Sequence, residues 1–288
     1  EEPPVDVLPL GIEHLPNESI AKTRNFYGVL SVHDLSKGSP HHYRRALYHG
    51  RILHGMQVKV PGREQTPTQY YANNSGIGIT MQHYSAVGST TLAPRRVGVI
   101  GLGTGSLAVY GRSQDTFRFY EINPQMVTFS KKYFSFLQST PAEIEIVLGD
   151  GRLSLESEPP QKFDILVLDA FSGDSVPIHL LTVEAFELYL THLREGGVIA
   201  VHVSNRHLDL SPVVAGLSKR SKLSAIEVYL PDTGKRLDTT STWMLVTRNE
   251  GFLNHKAVVA ASLSGRKRFE VMPVWSDKYS SLFDVLNY

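Results

Sequence analysis

The run Val97-Gly98-Val99-Ile100-Gly101-Leu102-Gly103-Thr104-Gly105-Ser106-Leu107-Ala108 is followed at Phe117-Arg118-Phe119-Tyr120-Glu121 by a second apolar stretch that ends in a carboxylate. It reads as a buried strand, a glycine-rich turn and a helix N-terminus, then a second strand whose acidic end lies about twenty residues past the first glycine. Glycine lets the backbone approach a ligand closely, and free N–H groups at a helix start face it. A carboxylate at the next strand end can accept both hydroxyls of a ribose. The stretch is therefore a nucleoside-binding layout, or at minimum a tight strand-to-helix turn.

Around it, strands alternate with helical segments. Candidate strands are 96–100, 117–121, 143–147, 163–169 and 197–203, with helices near 104–111, 123–137 and 182–194. This alternation predicts an α/β, Rossmann-like fold with a doubly wound, mostly parallel sheet. In the helix over 182–194, Thr182 can cap, Val183, Phe186, Leu190 and Leu193 recur on one face, and Gly196-Gly197 is expected to end it. Segments 224–230 and 242–248 read as an antiparallel pair at the sheet edge. Before position 60 the pattern changes to period two, with Phe26 to Val32, Arg45 to Tyr48 and Arg51 to His54 broken by Gly50 and Lys37-Gly38-Ser39-Pro40. A small antiparallel β-hairpin domain over 1–85 is expected, followed by a nucleoside-binding catalytic domain over 86–288. A helix starting at Thr68 would carry Tyr70, Tyr71 and Met81.

Composition bounds the partners. The chain has 288 residues, 41% of them apolar, enough for a sizeable core. With 29 basic against 28 acidic residues, no strong field favours nucleic acid. There is no cysteine, and the 12 histidines show no metal-ligand spacing, so no metal is expected. No apolar run approaches membrane-spanning length. The opening Glu1-Glu2-Pro3-Pro4 resembles a cut inside a longer polypeptide or a processed start, the compartment stays open, and a homo-oligomer is expected.

In open α/β sheets, ligands bind beyond the carboxyl ends of the strands. The glycine turn, Glu121, Gly149-Asp150-Gly151 and Asp169 all fall at such ends. Asp150 can accept an adenine amino group, or simply cap the next helix. Asp169 ends the apolar run Phe163 to Leu168 and opens the irregular stretch Ala170 to Pro177, which includes Asp174. A carboxylate there can accept a proton or cap a turn. A dinucleotide fingerprint needs a third glycine at position 106, which is Ser106. The spacing of Gly101, Gly103 and Gly105 instead matches proteins that bind S-adenosylmethionine.

These residues together resemble the polyamine aminopropyltransferases, the spermidine synthases, over roughly residues 25 to 205. A closer likeness is to the spermidine synthase-like domains that some bacteria fuse to membrane segments. These share Gly101 to Gly105 and a Trp275-Ser276-Asp277-Lys278-Tyr279 type ending. The resemblance implies S-adenosylmethionine or its decarboxylated form as co-substrate, held by the glycine turn, with Glu121 on the ribose, Asp150-Gly151 at the adenine and Gln57 touching the nucleoside. Asp169 would deprotonate a small-molecule amine that displaces 5′-methylthioadenosine. Tyr71, Asp174, Asp277 and Tyr279 are candidate substrate contacts. It also implies a piece attached to a membrane domain, on the cytoplasmic side.

Where the family carries an acid inside the glycine loop, this chain has Thr104. An acid there would repel the carboxylate of intact S-adenosylmethionine by several kcal/mol at contact distance and an effective dielectric of about 20. Thr104 removes that barrier. Three functions follow: aminopropyl transfer, use of intact S-adenosylmethionine for methyl transfer or for intramolecular cyclisation or elimination, and a non-catalytic nucleoside-binding module.

Overall fold

The structure, a computed structural model, describes residues 19–87, 93–170, 177–232, 237, 239–262 and 269–287. Its first layer is a four-stranded antiparallel sheet of β1 (Ala21–Asn25), β2 (Gly28–Leu35), β3 (Arg44–His49) and β4 (Ile52–Val58), each paired with the next. A 3-10 turn (Gln69–Tyr71) and helix α1 (Gly76–His83) lead to the second layer. Where one helix from Thr68 was expected, Asn73 and Asn74 separate two elements, and Ser75 caps the second by accepting the Gly78 N–H.

Next come β5 (Arg96–Ile100), β6 (Thr116–Glu121), α2 (Pro124–Tyr133), α3 (Phe136–Ser139), β7 (Glu143–Leu148), α4 (Gly151–Ser157), β8 (Phe163–Leu168), α5 (Val183–His192) and β9 (Leu193–His202). The chain closes with α6 (Ser211–Arg220), β10 (Ser224–Leu230), β11 (Ser241–Thr247), α7 (Glu250–Leu253) and α8 (Lys256–Ser262). The seven strands lie in the order β10-β11-β9-β8-β5-β6-β7. β5 to β9 are parallel, while β10 and β11 form an antiparallel edge pair. After β5 the chain winds outward through β6 and β7, then crosses back to lay β8 on the other side of β5. That reversal is the switch point where an open α/β sheet opens a crevice.

Alternation within the strands builds two cores. Phe117 and Phe119 of β6 join Val97 and Val99 of β5 and reach Leu30, Val32 and Leu47 of the small sheet. Tyr120, Ile100 and Leu166 face the opposite side, against Phe186 and Tyr189 of α5. β8 is buried along its whole length, as a central parallel strand covered on both faces must be.

Three local expectations change. The segment 104–111 is a 3-10 helix over Ser106–Tyr110, entered through Gly105 in the left-handed region at φ +80°. The helix over 123–137 breaks at Phe134 and Ser135, where the Ser135 N–H donates to Gln57 Oε1 at 3.2 Å. Finally, α5 stops at His192 and β9 begins at once, so Gly196-Gly197 lies inside a strand. Gly196 adopts φ +71° where the pairing of β8 with β9 shifts register, an irregularity that glycine accommodates without strain.

Candidate active site

A cavity of about 210 Å³ opens at the carboxyl ends of the parallel strands. Its floor is the turn Gly101-Leu102-Gly103, its far wall carries Glu121 and Asp150, and Asp169 stands at the end of β8. Tyr27, His49 and His54 of the small sheet, with Tyr70, form the opposite wall. The strand ends are tied together by backbone: Gly101 N–H donates to Tyr120 O, Asp169 N–H to Ile100 O and Gly149 N–H to Glu121 O, each at 2.9 Å.

Gly101 has φ +100°, and a Cβ there would press into the Asp169 carbonyl. Glycine at this position is therefore what allows the β5 turn and the end of β8 to meet. Glu121 is 7% exposed. Its Oε2 accepts the Leu102 N–H at 3.0 Å and its Oε1 the Asn123 N–H at 2.8 Å. Burial pushes its carboxyl above the usual range, and the backbone N–H groups of Asn123, Leu102 and Ile122 oppose that shift.

Asp150 caps α4 through its Oδ1, which accepts the Leu153 N–H at 3.0 Å, and its Oδ2 lies 3.0 Å from His179 Nε2. Capping and wall placement therefore coexist in one residue. The Asp169 side chain is 5% exposed. Tyr71 Oη donates to its Oδ2, and its Oδ1 is 2.7 Å from His202 Nδ1. Burial, with the Asp169 carboxylate beside it, raises the Tyr71 phenol well above its ordinary value, so Tyr71 is a donor at any physiological pH.

The cavity brings together Gly101, Gly103, Glu121, Asp150, Gly151 and Asp169. Other residues singled out from the sequence stand elsewhere. Gln57 is fully buried, donating to Glu64 O at 3.1 Å and Ser135 Oγ at 2.7 Å, which fixes it between the sheet and α3 rather than in the cavity wall. Thr104 is 1% exposed beneath Gly55, with its Oγ1 2.9 Å from Ser106 Oγ, so its side chain belongs to the packing below the turn. Gly105 packs on Leu137.

Tyr71 is buried behind the wall and reaches the cavity through Asp169. Asp277 and Tyr279 line a separate groove beside α4, where Asp277 pairs with Arg152 at 2.6 Å and accepts from Thr182 Oγ1 at 2.8 Å. Asp150 and His179 border both spaces. Asp174 lies outside the described residues.

Several residues in the wall or directly behind it escaped the sequence reading. His202 ends β9, and the strand-end logic that found Asp169 applies equally to it. His54 Nε2 is buried without a hydrogen-bond partner among the described residues, and burial, with His49 beside it, lowers this ring's pKa to about 4. Tyr70 stacks on His202 at 4.5 Å. Nothing in one-dimensional spacing links positions 70 and 202.

No family model matches the chain. A probable spermidine synthase structure from Corynebacterium glutamicum superposes with TM-score 0.62 at 19% identity, covering 89% of this chain and 90% of that one. The chain has the spermidine synthase fold. A spermidine synthase in complex with the transition-state analogue AdoDATO superposes with TM-score 0.56 at 14% identity, covering 90% of this chain and 81% of that one.

In sequence, the chain resembles polyamine aminopropyltransferases. That of Vibrio vulnificus is 31% identical over 116 residues, 38% of this chain and 38% of the relative. An N-terminal histidine N-methyltransferase of Emericella nidulans is 28% identical over 162 residues, 53% of this chain and 28% of the relative. The matches thus span well under half the length of these curated relatives. In the spermidine synthase fold of this chain, the antiparallel sheet supplies one cavity wall and the parallel strand ends the other.

Proposed function

We propose that the chain is a spermidine synthase-like transferase that binds S-adenosylmethionine or its decarboxylated form and releases 5′-methylthioadenosine. The observation that carries this reading is the convergence of Glu121, Asp150 and Asp169 on one cavity floored by the Gly101-Leu102-Gly103 turn. A nucleoside fits these residues. Bare backbone at Gly101 and Gly103 permits close approach, Glu121 and Asp150 supply acceptors, and Met126 and Leu180 supply apolar surface.

In the step proposed, a neutral amine attacks the carbon next to the sulfonium. The nitrogen–carbon bond forms, the carbon–sulfur bond breaks with its electron pair leaving on sulfur, and a proton passes from the amine to Asp169. Positioning and one proton transfer are the protein's contribution. Tyr71 holds the carboxylate from behind and leaves it facing the cavity.

A second reading, use of intact S-adenosylmethionine, is favoured by a specific observation. Position 104 carries no acid, and its threonine is packed below the turn, so nothing on the turn itself repels the carboxylate of the intact co-substrate. The name of the Emericella nidulans relative points to methyl transfer for that protein. This reading predicts S-adenosylhomocysteine, or methylthioadenosine formed without an amine.

A nucleoside product assay separates the readings. Purified protein is incubated with each form of the co-substrate, with and without putrescine, and the nucleosides are resolved by chromatography. Amine-dependent methylthioadenosine, lost in Asp169→Asn, is the expected result. Full activity of Asp169→Asn would remove Asp169 as the base, and binding without turnover over hours would leave a nucleoside-binding module.

A further inference from the structure

Behind Asp169 the chain builds a hydrogen-bonded line that the proposed displacement does not by itself require. His202 ends β9 with its side chain 7% exposed, its Nδ1 2.7 Å from Asp169 Oδ1 and its Nε2 2.9 Å from Ser204 Oγ. Ser204 Oγ in turn accepts the backbone N–H of Thr242 at 2.7 Å. The imidazole is clamped between two rings, with Tyr70 at 4.5 Å and 25° on one face and Trp243 at 4.7 Å and 19° on the other. Trp243 Nε1 donates to Tyr70 O at 3.1 Å, which ties the two plates together.

The donors can be assigned in order. An ionised carboxylate only accepts, so the proton between His202 and Asp169 sits on Nδ1. Thr242 N–H occupies one lone pair of Ser204 Oγ and leaves its hydroxyl hydrogen free to point at Nε2. The Asp–His–Ser spacing matches a nucleophile relay, but Ser204 stands outside the cavity, so its role here is orientation.

We propose that His202 is a positioning residue for Asp169. Its Nδ1–H faces the carboxylate, the ring is fixed by Ser204 and by the Tyr70–Trp243 clamp, and it holds one carboxylate oxygen while Tyr71 holds the other. The proposal rests on the reading of Asp169 as the base. Its catalytic consequence is that the carboxylate meets the amine in a single orientation, so its loss appears in kcat rather than in nucleoside binding. Among the described residues, the titratable groups facing the ring are Asp169, Tyr70 and His54, with Trp243 on the other face and Tyr71 one step away on Asp169.

Two measurements test it. Long-range nitrogen–proton NMR on histidine-labelled full chain should show His202 at pH 7.5 with a protonated Nδ1. A ring protonated on Nε2 alone overturns the proposal. This measurement needs no turnover, so it decides even if the product assay finds no methylthioadenosine and the reading of Asp169 as base falls.

Where turnover is present, His202→Leu should lower kcat about 10- to 100-fold, the loss of one hydrogen bond to a charged group. KM for the nucleoside should stay within about three-fold. His202→Asn, whose amide nitrogen takes the place of Nδ1, should restore kcat to within about three-fold, while His202→Gln, which reaches only the Nε2 position, should not. Asn as impaired as Leu, or Leu with unchanged kcat, rejects a positioning role.

Discussion

The backbone N–H of Leu102 donates to Glu121 Oε2 at 3.0 Å. The carboxylate at the end of β6 is thereby the bracket that holds the glycine turn of β5 in shape. Glutamine at 121 would offer one acceptor and present its NH₂ to the second backbone N–H, loosening the turn. We expect Glu121→Gln to weaken methylthioadenosine binding by about 10- to 100-fold. Calorimetry measures this, and wild-type affinity in the variant would show that Glu121 shapes the turn without serving the ligand.

Gly101→Ala should destabilise the fold. Position 101 has φ +100°, and a Cβ would meet the Asp169 carbonyl, which is backbone and cannot swing away. Strain of about 1–3 kcal/mol before any clash corresponds to a Tm lower by about 2–5 °C. Gly38→Ala, where a Cβ meets nothing within 4 Å, is the control and should leave Tm in place.

His54 makes the protein sensitive to mild acid. Burial holds its folded pKa at about 4, against an unfolded value of about 6.5, so the unfolded chain binds the proton first. Stability is full above pH ~6.5 and declines as pH falls toward ~4, by at most about 3 kcal/mol. Denaturant unfolding at a series of pH values should show this slope in the wild type and a flatter one in His54→Gln. Equal slopes would remove His54 as the source.

Asp277→Asn should leave nucleoside affinity within about two-fold, because its carboxylate faces the groove beside α4. The Arg152 hydrogen bond lowers that carboxyl to about 2, so its contribution is present above pH ~3.8 and fades as pH falls through about 2. The group is 39% exposed and screened, so the contribution is about 1 kcal/mol at most. A large loss of affinity would place the C-terminal turn in the site after all.

Much of the fold is legible in one dimension because hydrophobic period follows secondary structure. The apolar runs at 96–100 and 163–168 read as strands of a mostly parallel sheet, and the alternation before position 60 as an antiparallel sheet. Where boundaries moved, a tertiary partner moved them. Gln57 pulls Ser135 out of the helix over 123–137, and the register shift between β8 and β9 draws Gly196 into a strand.

The sequence by itself determined the α/β class and the strand ends bearing Glu121, Asp150 and Asp169, because each sits at the close of its own apolar run. Only the tertiary structure decided what faces the cavity. Thr104 occupies a turn position but points beneath Gly55, and Gln57 is captured by Ser135. Tyr71 and His202 converge on Asp169 from 98 and 33 positions away. Periodicity reports which residues are buried. Which buried groups share a hydrogen bond depends on how distant strands pack, and that is set in three dimensions.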